Sequence, residues 1–518
     1  MSVDAVSLSR TIEEFIIASP SPAVIEEGEV AFDFCNAKYS ISSEHGRCLL
    51  HLWSAERNAM RRIIGAEQKP NSLRLTVQRF GQTKPTRMEI VRQRERRTAS
   101  ALQLTRDQYQ RLLERTMERN FPGVKAASFS NKADLEKSFG PVYSRGMIMP
   151  SAGRTAWACL GVNAEETQAA VDGALSVGIL WLDYLRERYA ADRAFHGLKL
   201  FLPAGSSQVV RQRAAHLNHH LMKLEVWELD QREETIARMD IFDCGNIATR
   251  LVRSMHEQRV RDRFAADIAL IGELTPDFDA VAVSSGELSF RMHGLEFARA
   301  RTTCGSGNSL QVAPANEITF GIGPNATTLK EENTALFRDM VGRVARSRGG
   351  NGANAPKDPL WRMQPERWLE SMVAAAVDKI DQRLSPARVY SQVPAFSSSD
   401  RAMIDVLCAT HDGRLVVIEL KAEEDLHLPL QGLDYWSRVR YHQQRGEFAQ
   451  FGYFDGIELS PQPPLLLLVA PALHIHPSTD TLLRYLSPDI DCTVVGLDER
   501  WRQELRVVFR KRAVRTAV

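Results

Sequence analysis

"RAMIDVLCATHDGRLVVIELKA", residues 401–422, reads as two apolar runs joined by a tight turn, with charges set inside both runs. Charged side chains rarely lie within strands that read as core, so Asp405, Glu419 and Lys421 need a reason to be there. Side chains alternate along a strand. Met403, Asp405 and Leu407 therefore share one face of the first run, and Leu415, Val417, Glu419 and Lys421 share one face of the second. The length of the turn decides whether the charges meet. A two-residue Asp412-Gly413 turn pairs His411 with Arg414 and sets Asp405 opposite Leu420, so the two carboxylates point to opposite faces. A three-residue turn, His411-Asp412-Gly413, pairs Thr410 with Arg414 and puts Asp405 directly across from Glu419. Three-residue turns want a left-handed residue in third place, where Gly413 stands. The second register is the expected one, with the two backbones about 5 Å apart at these residues and Lys421 two residues along the same face.

Two carboxylates that close resist joint ionisation unless a cation lies between them. Mg²⁺ (or Mn²⁺) answers this: it is hard, prefers oxygen, and typically takes one or two carboxylates plus a substrate phosphate. A lysine beside such an ion suits in-line phosphodiester hydrolysis, because it can orient a metal-bound water near the scissile phosphate. The bland alternatives are a surface-facing strand pair with a Glu419–Lys421 ion pair, or a nuclease-like fold that has lost activity.

The flanks extend the pattern. "PERWLESMVAAAVDKIDQRL" (365–384) places Leu369, Met372, Val373, Ala376, Ile380 and Leu384 on one helical stripe with Glu370 at its edge, bounded by proline and by Ser385-Pro386. "RVYSQVPAF" follows as a strand. "LPLQGLDYW" sets Gln431 and Tyr435 four apart. The ordered set of Glu370, Asp405, Glu419-Leu420-Lys421 and Gln431/Tyr435 resembles the PD-(D/E)xK nuclease superfamily, in the QxxxY variant of RecB-type nucleases. The resemblance covers roughly residues 360–470; Ile404 stands where the motif's proline would be. It implies a restriction-endonuclease-like αβββαβ core. It also implies catalytic roles for Glu370, Asp405, Glu419, Lys421, Gln431 and Tyr435. Metal would be bound by Asp405, Glu419 and the Leu420 main-chain carbonyl, and Gln431 and Tyr435 would support the active site and substrate strand.

The rest of the 518-residue chain is less explicit. Its length allows two to four domains, and 44% hydrophobic with 25% charged residues is ordinary globular composition. A mixed α/β (α+β) chain is expected: a β-rich domain at 1–104, a mixed α/β domain at 105–345, a Gly/Asn/Pro-rich linker at 346–359 and the nuclease-like domain at 360–518. Residues 105–120 and 164–189 read as helices. "HGLKLFLPAG" and "KLEVWELD" read as strands around a helix including Val209 to Met222, a βαβ-like unit. "CGSGNS" (304–309) reads as loop and lacks a phosphate-binding pattern. Net charge is only +2, but twelve basic residues stand against three acids from Arg57 to Arg97. That stretch suits a phosphate backbone or a solvated face.

The seven cysteines are scattered with no CxxC pair, which fits a reducing cytoplasm. Residues 1–20 lack a secretion-signal pattern, and the longest apolar runs are too short to span a bilayer, so no membrane partner is expected. His474 and His476 alternate on an expected strand. His216, His219 and His220 are placed on the middle helix, facing solvent. His427 reads as a loop residue, and His442 with Arg438, Arg440 and Arg445 as either phosphate contacts or a solvated face. Trp361, Trp368 and Trp436 read as core.

Three functions follow. The first is a metal-dependent nuclease acting on nucleic acid, DNA foremost, in defence or repair. The second is an effector nuclease gated by a small molecule or protein activator bound to the middle region, a domain order similar to that of CRISPR ancillary nucleases. The third is a non-catalytic nucleic-acid-binding protein. Homodimerisation, substrate strandedness and the endo- or exonuclease mode stay open.

Overall fold

The computed structural model describes residues 5–19, 22–26, 29–34, 37–43, 48–53, 58–69, 72–79, 85–92, 99–134, 137–150, 154–275, 277–303, 315–322, 326–349, 358–397 and 401–513. It is a mixed α+β protein dividing into two compact units, Met1–Thr105 and Arg106–Val518.

The first unit is β-rich. A seven-stranded antiparallel sheet runs in the order Glu29–Asp33, Ala23–Glu26, Thr86–Val91, Ser72–Arg79, Asn58–Gln68, Cys48–Trp53, Lys38–Ser42. Helix Ala5–Ile17 covers one face with Leu8, Ile12, Phe15 and Ile16, packed on inward residues such as Leu50, Leu73 and Leu75. Part of the basic stretch is neutralised internally: Arg61 pairs with Glu26 at 2.9 Å and Arg74 with Glu89 at 3.5 Å.

The second unit holds three sheets. The first contains the expected βαβ crossovers. Strands Thr155–Val162, Ala194–Pro203 and Lys223–Asp230 are parallel neighbours, connected through helices Gln168–Arg188 and Gln208–Ala214. The second of those helices stops eight residues short of the expected Met222. The chain turns there because tertiary contacts capture it: Asn218 N–H donates to Tyr485 O (2.8 Å) and Leu217 bridges to Leu486. His216, His219 and His220 thus lie in a turn after the helix, not on it. The second sheet went unread in the sequence. Strands Asp279–Ser284, Glu287–Met292, Leu295–Thr303, Ala315–Phe320 and Thr327–Thr328 form an antiparallel meander. Helix Thr334–Arg348 packs Phe337, Val341 and Val344 on one face of it. Residues 346–348, expected as linker, belong to that helix. Residues 350–357 and the expected loop at 304–309 lie outside the described residues.

The third sheet has seven strands whose spatial order follows the chain: β1 (Thr249–Leu251), β2 (Leu384–Ser397), β3 (Arg401–Thr410), β4 (Leu415–Leu420), β5 (Leu465–Pro471), β6 (Asp491–Leu497) and β7 (Val507–Arg512). The β4–β5 and β5–β6 pairs are parallel and the others antiparallel. Helix α1 (Pro365–Ala375) precedes β2 and helix α2 (Leu428–Gln444) connects β4 to β5, which gives the αβββαβ core. The apolar stripe expected as one helix to Leu384 is broken at Ala376. A short helix, Val377–Ile380, follows, and Leu384 opens β2. Sheets apolar on both faces are covered on both. Trp368, Leu369 and Val373 of α1 cover one face, and Leu430, Leu433 and Trp436 of α2 the other. All six residues of β4 are buried. His474 ends a helical turn after β5, and His476 lies beyond it; neither is on a strand.

Candidate active site

The turn takes the three-residue form. Thr410 N–H donates to Arg414 O at 2.8 Å, Gly413 N–H donates to Thr410 O at 2.9 Å, and Gly413 has φ +81°. A side chain at 413 would also meet the Glu458 carbonyl at 2.0 Å, so both conformation and space require glycine. The register that follows pairs Leu407 with Val417 and Val406 with Ile418, which puts Asp405 and Glu419 next in line across the two strands.

There the ladder stops. Asp405 takes the place of a backbone acceptor: its Oδ2 accepts the Leu420 N–H at 3.0 Å. On the other side of β4 the Lys421 N–H goes to Val469 O at 3.0 Å. Main-chain groups alternate sides along a strand, so the Leu420 carbonyl is on the Asp405 side. The strands part around this carboxylate and a cleft of about 740 Å³ opens, lined by Glu370, Gln392, Asp405, Glu419, Lys421 and Tyr435 among others.

Electrostatics explain why the acids need help. Glu419 is 2% exposed. Burial first, and then Asp405, push its carboxyl well above the ordinary range, and it shares a hydrogen bond with Asp405. Burial likewise raises Asp405, although the Leu420 N–H and Lys421 oppose the rise. Glu370 is pushed up to about 7, mainly by burial, with Arg367 opposing and Asp405 adding to it. Burial works to lower the Lys421 ammonium, but Glu366, Glu419, Asp425 and Asp405 outweigh it and its pKa is raised. Lys421 lies 3.6 Å from Glu366 and 3.7 Å from Asp425. Burial, then Glu419 and Asp405, raise the Tyr435 phenol.

Five of the six expected side chains therefore converge on the cleft. Gln431 lies one helical turn before Tyr435, with its Oε1 buried and without a hydrogen-bond partner among the described residues. Gly432 between them lets α2 approach the sheet: a Cβ there would lie 2.6 Å from Leu468 and 3.5 Å from the Glu419 Cβ. The sequence reading missed Gln392. Its Nε2 donates to Glu370 Oε2 at 2.8 Å and, more weakly, to Asp405 Oδ1 at 3.4 Å. It holds φ +53° within β2, a left-handed conformation that costs a non-glycine residue about 1 kcal/mol or more and collects at functional sites. Glu366 and Asp425, the partners of Lys421, were also missed; "PERW" and "AEED" carried acids, but only the fold brings them to the lysine.

The donor set suits a hard divalent ion. Among the described residues no group of three or more His, Cys, Asp or Glu side chains is placed to hold a metal. Asp405, Glu419 and the Leu420 carbonyl form a smaller all-oxygen set, of the kind Mg²⁺ completes with water and phosphate. The Glu419 Oε2 is buried with no hydrogen-bond partner among the described residues, as an oxygen reserved for a cation would be.

The other singled-out residues fall outside the cleft. His427 turns to the Gln168–Arg188 helix, with Nδ1 3.3 Å from Ser176 Oγ. His442 is neither a phosphate contact nor solvated: it is fully buried, with Nε2 2.7 Å from Thr249 Oγ1 and Nδ1 2.5 Å from Glu447. It fastens strand β1 to α2. His476 Nδ1 accepts the Ser478 N–H at 3.1 Å, which leaves Nε2–H to donate to Ser138 Oγ at 2.9 Å. That tautomer cannot take a proton from the serine. Trp368 and Trp436 are core. The cysteines among the described residues are unpaired. No helix among the described residues is long and apolar enough to cross a membrane.

No protein-family model matches the chain, and no curated protein matches it. Among solved structures, one described as the structure of the EndoMS–dsDNA2 complex is similar at 14% identity. The alignment covers 44% of this chain and 96% of that one, with a TM-score of 0.18. A TM-score that low constrains neither the fold nor the function of this chain.

Proposed function

We propose that this chain is a divalent-metal-dependent nuclease of the PD-(D/E)xK kind that hydrolyses phosphodiester bonds in DNA. The observation that carries the reading is the register at the end of β3 and β4. It brings Asp405 and Glu419 together in the wall of a cleft with a protonated Lys421 beside them.

Asp405, Glu419 and the Leu420 carbonyl would hold Mg²⁺ or Mn²⁺. When bound, such an ion polarises a phosphate oxygen and lowers the pKa of water. The chain's own residues set the rest. Lys421, with its raised pKa, keeps a positive charge at neutral pH and directs it at oxygens that gain negative charge during hydrolysis. Gln392 fixes the orientation of Asp405 and Glu370 through one amide. Glu370, poised near neutrality, can hold or release a proton at the cleft wall. Tyr435 stays a neutral hydroxyl donor. Gln431 and Tyr435 lie on one face of α2, and Gly432 brings that face against Glu419.

A gated form of the same activity has one specific support. Arg213, in the βαβ region, is 6% exposed and forms a bidentate pair with Asp434 at 3.0 and 2.8 Å. Asp434 immediately precedes Tyr435, so a displacement of the Gln208–Ala214 helix would be felt at the cleft.

The test is to incubate the protein with supercoiled and linear DNA in Mg²⁺, in Mn²⁺ and in chelator. Cleavage with metal that is lost in Asp405→Ala and Lys421→Ala supports the reading. DNA binding without cleavage under any metal overturns it, and cleavage that appears only after adding a nucleotide messenger or cell extract establishes gating.

A further inference from the structure

The cleft lining carries five carboxylates (Glu366, Glu370, Asp405, Glu419 and Glu423) against two cations, Arg367 and Lys421. Even with a divalent ion in place, such a lining attracts a polyanion poorly. Cations at the rim must supply the attraction that phosphates need.

The unread five-stranded sheet brings one. Its helix-free face carries three arginines. Arg299 is neutralised by Glu287 at 2.9 Å and Glu296 at 2.6 Å, and Arg301 by Glu287 at 2.6 Å. Arg291 differs. Its ladder partner is Glu296, but both oxygens of that carboxylate are engaged, Oε1 by Arg299 Nε at 2.8 Å and Oε2 by Arg299 and Ser289 at 2.6 Å. Arg291 reaches only a neutral hydroxyl, with Nε donating to Ser289 Oγ at 3.0 Å. Its two terminal nitrogens have no hydrogen-bond partner among the described residues.

The strand end that carries Arg291 is fastened beside the cleft. The following turn, His293-Gly294, lies against the start of α1: a Cβ at Gly294 would meet the Arg367 carbonyl at 2.3 Å, and the His293 ring stacks on Trp368 at 5.2 Å. Arg348 ties the joint, donating to His293 O at 2.5 Å and Leu360 O at 3.0 Å, and also to Met363 O. Arg291 thereby feels a like charge, Arg367, and both act on the same carboxylate, Glu370; burial first and then the Arg367 charge lower the Arg291 pKa, with Glu296 and Glu370 opposing. Arg367 keeps 41% of its side chain exposed while donating to Glu370 at 3.1 Å. Two guanidiniums that act on one carboxylate, one of them without an ion pair among the described residues, make a site for an anion that both can fork onto.

We propose that Arg291 and Arg367 form a seat for a backbone phosphate of the substrate strand, one that flanks the reacting phosphate, so that the five-stranded sheet is a substrate-holding module. This rests on the nuclease reading above. The test is anisotropy of labelled duplex DNA binding to the full chain in Ca²⁺, over a series of salt concentrations. Arg291→Gln should weaken binding about tenfold and flatten the log Kd against log salt slope by about 0.9, the loss of one phosphate contact. Arg367→Gln should flatten it equally, and Arg291→Lys should keep the wild-type slope. Wild-type affinity and slope in Arg291→Gln, or equal loss in the lysine variant, overturn the seat while metal-dependent cleavage by the wild type leaves the nuclease reading standing. A wild type that neither binds nor cuts DNA removes both.

Discussion

Replacing Glu370 by glutamine should stabilise the metal-free protein at alkaline pH and leave it unchanged at acid pH. Glu370 is 5% exposed, and its carboxyl is pushed up to about 7 from an ordinary 4.5. A group with a raised folded-state pKa contributes stability fully below its unfolded pKa and loses it as pH rises through the folded one. Here the window runs from 4.5 to about 7. At about 1.4 kcal/mol per decade, the wild type forfeits up to about 3 kcal/mol across that window. Glutamine is nearly the same shape as the protonated acid and does not titrate. Arg367 favours the ionised carboxylate, and the pKa of about 7 already includes that attraction. Glu370→Gln should therefore exceed wild type by up to about 3 kcal/mol at pH 8 and match it at pH 4.5. The assay is urea or thermal unfolding in chelator at both pH values. Glu419 shifts the same way in both proteins, so the difference between them isolates residue 370. A stability difference that does not change with pH would refute the reasoning, because it would mean that Glu370 ionises in the folded protein as it does in the unfolded chain.

Further outcomes follow from the same geometry. Lys421→Gln should lower cleavage by about 10²- to 10³-fold, the usual cost of losing one charge-stabilising group, while metal-induced thermal stabilisation persists; loss of both together would make Lys421 structural. The shift in melting temperature on adding Mg²⁺ should be larger at pH 8 than at pH 6, since Asp405 and Glu419, both raised, must release protons to the medium; a pH-independent shift would place the ion elsewhere. Gly413→Ala should destabilise by about 2 kcal/mol or more, read from the urea midpoint, because φ is +81° and the Glu458 carbonyl occupies the space. An unchanged midpoint would mean that the turn can rearrange.

How much of this could be read in advance depended on how local the signal was. Asp405 opposite Glu419 followed from one residue, Gly413, whose place in the turn fixes the register of two strands. Gln431 and Tyr435 followed from the resemblance to the QxxxY motif of RecB-type nucleases. Gln392 did not, because its role depends on a left-handed residue within an irregular strand: the β2–β3 register shifts between Ser385 and Tyr390, and nothing in "YSQVP" marks that. The stripe from Leu369 to Leu384 misled because residues on both sides of the break at Ala376 bury into the same core, so periodicity continued where the helix did not. His442 looked solvated among arginines, yet strand β1, from nearly two hundred residues earlier, covers it. The sheet that carries Arg291 has alternating strands of ordinary polarity, and its seat beside α1 is tertiary information alone.

The most direct measurement is the position of Mn²⁺ in crystals of the protein, from its anomalous scattering. The account expects a peak about 2.2 Å from carboxylate oxygens of Asp405 and Glu419 and from the Leu420 carbonyl, which disappears in Asp405→Ala. Mn²⁺ bound away from these three oxygens, at a concentration that supports DNA cleavage, would contradict it.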